Sequence, residues 1–217
     1  MPEKPPAPAS RRPLASRDTG WARVAASRLA ASRVTPNQIS IASVGFAALG
    51  FLLFWASSQT GPWTRGALLI LAAVAVQLRL LCNLLDGMVA VEGGRGAPDG
   101  PFWNEAPDRL ADILLLGGAG IAAGAPVLGC LLAVGAVGTA YLRELGRAEG
   151  LPADFSGPMA KPHRMAALTV GAVIGALEPL IHRPPVLLRW TLWLILAGLL
   201  VTLFRRSRHI LTALRRR

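Results

Sequence analysis

Apolar residues in this chain come in six long stretches, interrupted by short segments rich in Gly, Pro, Arg and acids. They cover roughly residues 38–57, 66–91, 108–123, 127–145, 165–181 and 186–204. A helix needs about 20 apolar residues to cross the hydrocarbon of a bilayer. The pattern therefore predicts an all-α integral membrane protein with six transmembrane helices. Ahead of them, Trp21, Val24, Ala25, Leu29 and Ala30 share one stripe, with Arg23 and Arg33 off it. Residues 20–34 are thus expected to form an N-terminal interfacial amphipathic helix. Residues 1–19 are rich in Pro, Ala, Ser and Arg without an apolar period, which predicts a disordered tail and no cleaved signal. The membrane domain is expected over 35–206, and a basic tail over 207–217.

Local signals place the helix starts. Thr35 can cap the first span with Pro36 at its first position, and Asn104 can cap the third with Pro107 following. Glu178, near the far end of the fifth span, is expected to meet water.

Composition supports the membrane reading. The 217 residues are 53% hydrophobic and only 16% charged, and the mean hydropathy is +0.45. A net charge of +11 would suit a nucleic-acid binder, but the basic residues lie between and beyond the apolar stretches rather than on one soluble face. They read as topology signals and contacts to anionic lipid. Seven Lys and Arg precede the first span and six follow Phe204. The loops on the opposite side hold only Arg65, Arg183 and Arg189. Both termini are therefore expected in the cytoplasm, with the chain in the inner (cytoplasmic) membrane. Cys82 and Cys130 have neither metal-ligand nor disulfide spacing.

Polar groups inside the apolar pattern carry the chemistry. A charge at the centre of a membrane helix costs about 2.5–3.5 kcal/mol on insertion scales. Yet the second stretch ends in Asn83-Leu-Leu-Asp86-Gly87-Met-Val-Ala90, and the third opens with Asn104 through Asp108 to Asp112. Asn83, Asp86 and Ala90 fall at i, i+3 and i+7 on one helical face, and Asp108 and Asp112 at i and i+4 on the next. If those faces meet, oxygen ligands suited to Mg²⁺ and substrate phosphates converge. Arg79, one turn before Asn83, is expected either to pair with the acids or to snorkel. The Gly- and Pro-rich loop after Val91 is either an ordinary turn or a backbone able to approach a phosphate, with Arg95 as its cation. Lys161, His163 and Arg164 crowd the entry to the fifth span, as basic loop residues or as an anion pocket. Charge counting puts these groups and the acids on one cytoplasmic side, which supports a single site.

The acidic pattern resembles the signature of the CDP-alcohol phosphotransferases. Asp86, Gly87, Ala90, Asp108 and Asp112 match it. The Thr-Pro-Asn-x-Ile-Ser entry to the first span and the Ser-Gly-Pro-Met-x-Lys-Pro-x-Arg loop before the fifth are also similar to that family. The resemblance implies transfer of a phosphatidyl-type group from CDP-diacylglycerol or a similar lipid donor to an alcohol acceptor, phosphorylated or not, with release of CMP. It further implies two Mg²⁺ or Mn²⁺ ions, six membrane helices and a homodimer. Carried over by position, Asn83, Asp86, Asp108 and Asp112 would form the metal set, and Asp112 would also be the general base. Gly87 and Ala90, with Arg95 and Asn104, would border the nucleotide. Lys161, His163 and Arg164 would hold the acceptor.

Three positions depart from the signature. Asn83 replaces its first Asp, Val91 its Arg, and Asn104 its downstream Gly. Asn83 keeps a carbonyl oxygen but removes a negative charge, which weakens a site for two divalent ions. Two other readings stay open on the sequence: an inactive homologue that binds nucleotide or lipid as a membrane partner, and a small multi-pass transporter, because intramembrane acids also mark ion pathways.

Overall fold

A computed structural model describes residues 20–32, 34–92, 98–181 and 186–217. They form seven α-helices: α1 (Gly20–Ala31), α2 (Pro36–Ser57), α3 (Pro62–Glu92), α4 (Gly100–Ala122), α5 (Pro126–Ala148), α6 (Lys161–Ala176) and α7 (Leu187–Leu214), with a 3-10 turn at Glu178–Ile181. The all-helical class read from the apolar pattern is the one observed. Residues 1–19, including the expected tail, lie outside the described residues.

Helices α2 to α7 close into a ring in the order α2–α3–α6–α7–α5–α4, with α4 returning to α2. The interior is apolar, from Phe54 on α2, Leu69 and Val76 on α3, Leu115 and Leu116 on α4, Leu132 on α5, Leu168 on α6 and Leu192 and Leu199 on α7. Large apolar side chains also cover the outside, among them Leu52, Leu71, Val134, Val170, Leu194 and Phe204. An aqueous surface does not tolerate so much contiguous apolar area. Four helices, α2, α3 up to Ala90, α5 and α7, are long and apolar enough to cross a membrane. The chain is an integral membrane protein. Helices α4 and α6 fall short by that measure for different reasons: α4 carries Glu105, Asp108, Arg109 and Asp112, and α6 has only 16 residues.

The start of α2 follows the sequence. Thr35 accepts from Gln38 N, and the Gln38 side chain accepts in return from Thr35 N, a reciprocal cap with Pro36 behind it. The start of α4 does not. This helix begins at Gly100, behind Asp99 and with Pro101 in its first turn, so Asn104 is inside the helix rather than at its cap. Pro107 also lies within the helix, where it has no N–H to give to the preceding turn. Helix α7 runs on to Leu214, through the segment expected as a tail. Apolar spacing continues there, with Ile210 buried under Gly146 of α5, and Arg206 is buried too. Helix α1 packs Ala22, Ala26 and Leu29 against Leu84, Leu85, Met88 and Val89 of α3, while Trp21 and Val24 of the expected stripe face outward.

Glu178 corrects a second expectation. It is 1% exposed. One carboxylate oxygen accepts from both Val186 N and Leu187 N at 2.6 Å, satisfying amides at the start of α7. The other accepts from Arg65 Nη1 at 3.2 Å, and Arg65 Nη2 donates to Ala122 O at 3.2 Å. One acid thus ties together the start of α3, the end of α4 and the start of α7. Its burial has a physical cause: a helix start offers unpaired N–H groups with a positive field, and a carboxylate answers both.

Small residues set a close contact between α4 and α5. A Cβ on Gly120 would sit 2.5 Å from Gly129 Cα, and a Cβ on Gly129 would sit 2.9 Å from Leu116 O. Backbone meets backbone here, so only glycine fits.

Four outcomes are expected. Gly120→Ala should lower stability by about 1–3 kcal/mol, read as a lower unfolding midpoint in detergent. Gly117→Ala, which would meet nothing within 4 Å, should be neutral or slightly stabilising. Glu178→Ala should cost about 3–5 kcal/mol, because it leaves Arg65 buried without its partner. Replacing Arg65 and Glu178 together by apolar residues should cost less than Glu178→Ala alone in the same unfolding measurement.

Candidate functional site

Length alone puts the acids at a boundary. At 1.5 Å per residue, Asn83 lies roughly 30 Å from the start of α3, one hydrocarbon thickness away. The last turns of α3 there meet the middle of α4 and the first turns of α2, with the first turn of α6 beside them. Asn83 from α3 reaches Asp108 of α4, while Asp86, one turn on, is bonded to Ser40 of α2.

Each acid is fixed by a different set of partners. Asp86 Oδ2 accepts from Ser40 Oγ at 2.8 Å, and its Oδ1 accepts from Gly87 N at 2.5 Å. Asp108 Oδ1 accepts from Asn83 Nδ2 and, at 3.1 Å, from Arg79 Nη2. Asp108 Oδ2 accepts from Lys161 Nζ. Asp112 Oδ2 accepts from Arg164 Nη2 at 2.7 Å, and its Oδ1 lies 3.7 Å from Arg79 Nη2 without a hydrogen bond. All three aspartates are buried. Arg79 and Arg164 are buried as well, at 0% and 2% exposure. Of the two fates open to Arg79 on the sequence, pairing with the acids is the one observed.

Around this core stands a more exposed set of ion pairs. Arg109 lies 3.3 Å from Glu105, and Arg143 of α5 reaches the same Glu105 oxygen at 2.5 Å. Arg143 also lies over the Phe155 ring at 5.5 Å.

The loop before α6 is pinned from behind. Gly157 has φ +117°, and a Cβ there would come 2.5 Å from Thr202 of α7, so the Gly of the Ser-Gly-Pro run is required by backbone conformation and by space. Met159 N donates to Thr202 Oγ1 at 3.1 Å. Arg206 donates to Ser156 O and to Thr139 O. Arg164 Nη1 donates to Met159 O at 3.2 Å. In the same loop, burial by itself would raise the Asp154 carboxyl. Hydrogen bonds from Ser156 and His209, with Arg206 nearby, instead hold it below the usual carboxylate range.

The remaining predicted residues divide. Lys161 reaches Asp108 and Arg164 reaches Asp112. His163 is exposed, and so is Asn104, one turn before Asp108 on the same helix. Gly87 and Ala90 lie in the last turns of α3. Arg95 falls outside the described residues. Sequence reasoning missed Ser40 and Ser43, which are hydrogen-bonded to Asp86 and Asn83. The signal was present: two hydroxyls at i and i+3 in an otherwise apolar helix share a face.

Donor chemistry at the site fits a hard divalent ion, since carboxylate oxygens predominate. Their arrangement is less open than the spacing suggested. Among the described residues no three acidic, His or Cys side chains gather as a metal-holding group. Cations of the chain itself take oxygens of Asp108 and Asp112.

No family model matches the chain, and no curated protein matches it in sequence. Solved structures do match. Phosphatidylinositol phosphate synthase of Mycobacterium tuberculosis in complex with manganese and citrate superposes with a TM-score of 0.73 at 23% identity, over 88% of this chain and 89% of that one. The same enzyme with CDP-DAG bound gives a TM-score of 0.72 at 21% identity, over 87% and 92%. Its apo form gives 0.70 at 23%, over 87% and 95%. The resemblance read from the acidic motif and the likeness in three dimensions point the same way: this chain has the fold of phosphatidylinositol phosphate synthase, a CDP-alcohol phosphotransferase.

Proposed function

We propose that the chain transfers a phosphatidyl-type group from a CDP-linked lipid, CDP-diacylglycerol by preference, to an alcohol acceptor and releases CMP. The observation that carries this reading is the placement of Asp86, Asp108 and Asp112. They are buried where the last turns of α3 meet the middle of α4 and the start of α6, on a fold whose solved example has been captured with manganese and with CDP-DAG. We further read α4 and α6 as membrane crossings, because they complete the ring begun by the four longer helices. That gives six spans with both termini in the cytoplasm.

In the reaction, the acceptor oxygen bonds to the lipid-bearing phosphorus while the bond from that phosphorus to the bridging oxygen breaks. CMP leaves with the electron pair. A divalent ion, Mg²⁺ or Mn²⁺, would neutralise the diphosphate and the departing charge. Asp86 and Asp108 would hold it, with Ser40 orienting Asp86. Asp112 takes the proton of the acceptor hydroxyl. Its Oδ1 is suited to this, since it is buried and has no hydrogen-bond donor among the described residues. Arg164 positions Asp112 from the other oxygen. Lys161 is the partly exposed cation of the set, with 24% of its side chain accessible. Its flexible stem lets the ammonium move from Asp108 to a substrate phosphate. His163 and Asn104 are exposed and would border the acceptor and the nucleotide.

The purified protein should release CMP from CDP-diacylglycerol only when both divalent metal and one acceptor of an alcohol panel are present. Asp112→Asn should lower that rate by about 10²-fold or more while the thermal midpoint changes little. Lys161→Ala should raise KM for a phosphorylated acceptor more than it lowers kcat. Absence of CMP release with every acceptor, from folded protein, would instead favour an inactive homologue that binds nucleotide or lipid.

A further inference from the structure

We propose that this site is built for one divalent ion, with Arg79 serving as a permanent second cation. The inference rests on the transferase reading of the same site and revises the pair of ions that the motif implies.

Asn83 supplies the first part of the argument. A carboxylate only accepts, so the Asn83 atom facing Asp108 has to be the amide nitrogen. That orientation turns its carbonyl oxygen to α2, where Ser43 Oγ donates to it at 2.9 Å. At the position of the signature's first acid, this chain therefore presents a donor to Asp108 and keeps its one possible metal ligand occupied elsewhere.

Arg79 supplies the second part. It lies on the Asn83 face of α3, one turn earlier, and has no solvent exposure. Its Nη2 is 3.1 Å from Asp108 Oδ1 and 3.7 Å from Asp112 Oδ1. A guanidinium does not lose its proton in a protein, so this charge is fixed. Withdrawing it would take a cation from buried Asp108 and leave the guanidinium itself buried without a partner, a strongly unfavourable change. The space between Asp108 and Asp112 is thus already served by a cation that does not leave. Lys161 differs, because its side chain is partly exposed and its place on Asp108 Oδ2 can be vacated.

The charge count agrees. Asp86, Asp108 and Asp112 bring three negative charges, and the buried Arg79 and Arg164 return two positive ones. Arg109, 3.7 Å from Asp108, is itself paired with Glu105, and that pair adds no net charge. With Lys161 turned to substrate, one negative charge remains before the diphosphate arrives. Two divalent ions held about 3.5–4 Å apart would face each other and Arg79 with little to offset them. One ion on Asp86 and Asp108, completed by substrate phosphate oxygens, needs no more than the one or two carboxylates that Mg²⁺ commonly uses.

The test is a count of bound metal. The full chain, in detergent with CDP present, is titrated with Mn²⁺, and free Mn²⁺ is followed by electron paramagnetic resonance. Saturation at one ion per chain is expected, with a six-line spectrum for the bound ion and no Mn–Mn coupling. Two coupled ions per chain would overturn the proposal and leave the transferase reading standing. No bound ion, together with no CMP release, would overturn both. Combining Asn83→Asp with Arg79→Met should admit a second, coupled ion. If the combined variant keeps its helical circular dichroism and still binds one, Arg79 and Asn83 do not set the count.

Discussion

Most of this structure depends on one constraint: carboxylates and guanidiniums that are out of water have to be matched to one another. Arg79 is wholly buried, and so are the aspartates it approaches. Taking such groups from water is strongly unfavourable unless each finds a partner with good geometry. The pairing therefore dictates where the helices meet. Arg79 and Asn83 bring α3 onto Asp108 of α4, and Arg164 brings α6 onto Asp112. The other end of the bundle obeys the same rule with a different set, in which Glu178 and Arg65 join α3, α4 and α7. Between the two polar clusters lies an apolar interior shaped by Leu, Ala and Gly. In a bilayer, where apolar side chains gain little by leaving lipid, such polar clusters and close glycine contacts carry much of the specificity of packing.

The connection between α7 and the site follows from the loop before α6. Among the described residues, the hydrogen bonds given for Asp86, Asp108 and Asp112 come from other elements than α7. Through Thr202 and Arg206 it grips the backbone at Ser156 and Met159. That grip sets where α6 begins, and α6 begins with the two cations of the site. Arg164 closes the circuit by bonding Met159 O as well as Asp112. Positioning of the buried acids and cations thus depends also on a helix that supplies none of them, as expected for a cluster that needs a rigid surround.

Similarity to phosphatidylinositol phosphate synthase is strong in three dimensions and weak in sequence. The physical reason is that a membrane bundle accepts many apolar substitutions as long as volume is kept. At the site the chain has Asp86, Asp108 and Asp112 at acidic positions of the motif and Asn83 where the motif has its first Asp. An amide facing Asp108 adds a donor and removes a charge.

Much of this was legible in the sequence. Apolar periodicity gave the helices, because a segment that crosses lipid has to satisfy its own backbone and be apolar over a known length. The i, i+3 and i, i+4 spacings gave the faces that carry Asn83, Asp86, Asp108 and Asp112, because helix geometry is fixed before any packing occurs. Partner choice was not legible, since it depends on distances between residues far apart in the chain. Arg79 had two plausible fates, and only the approach of α4 decided between them. Glu178 looked like a solvent-facing acid until the start of α7 was placed above it. Asn104 and Pro107 resembled a helix start, yet α4 begins at Gly100, because local signals compete and packing of the first turns decides. The sequence alone determined that acids and cations would share one end of a helical membrane protein. The tertiary structure decided which charge neutralises which, because Coulomb energy depends on ångström separations in a medium of low dielectric.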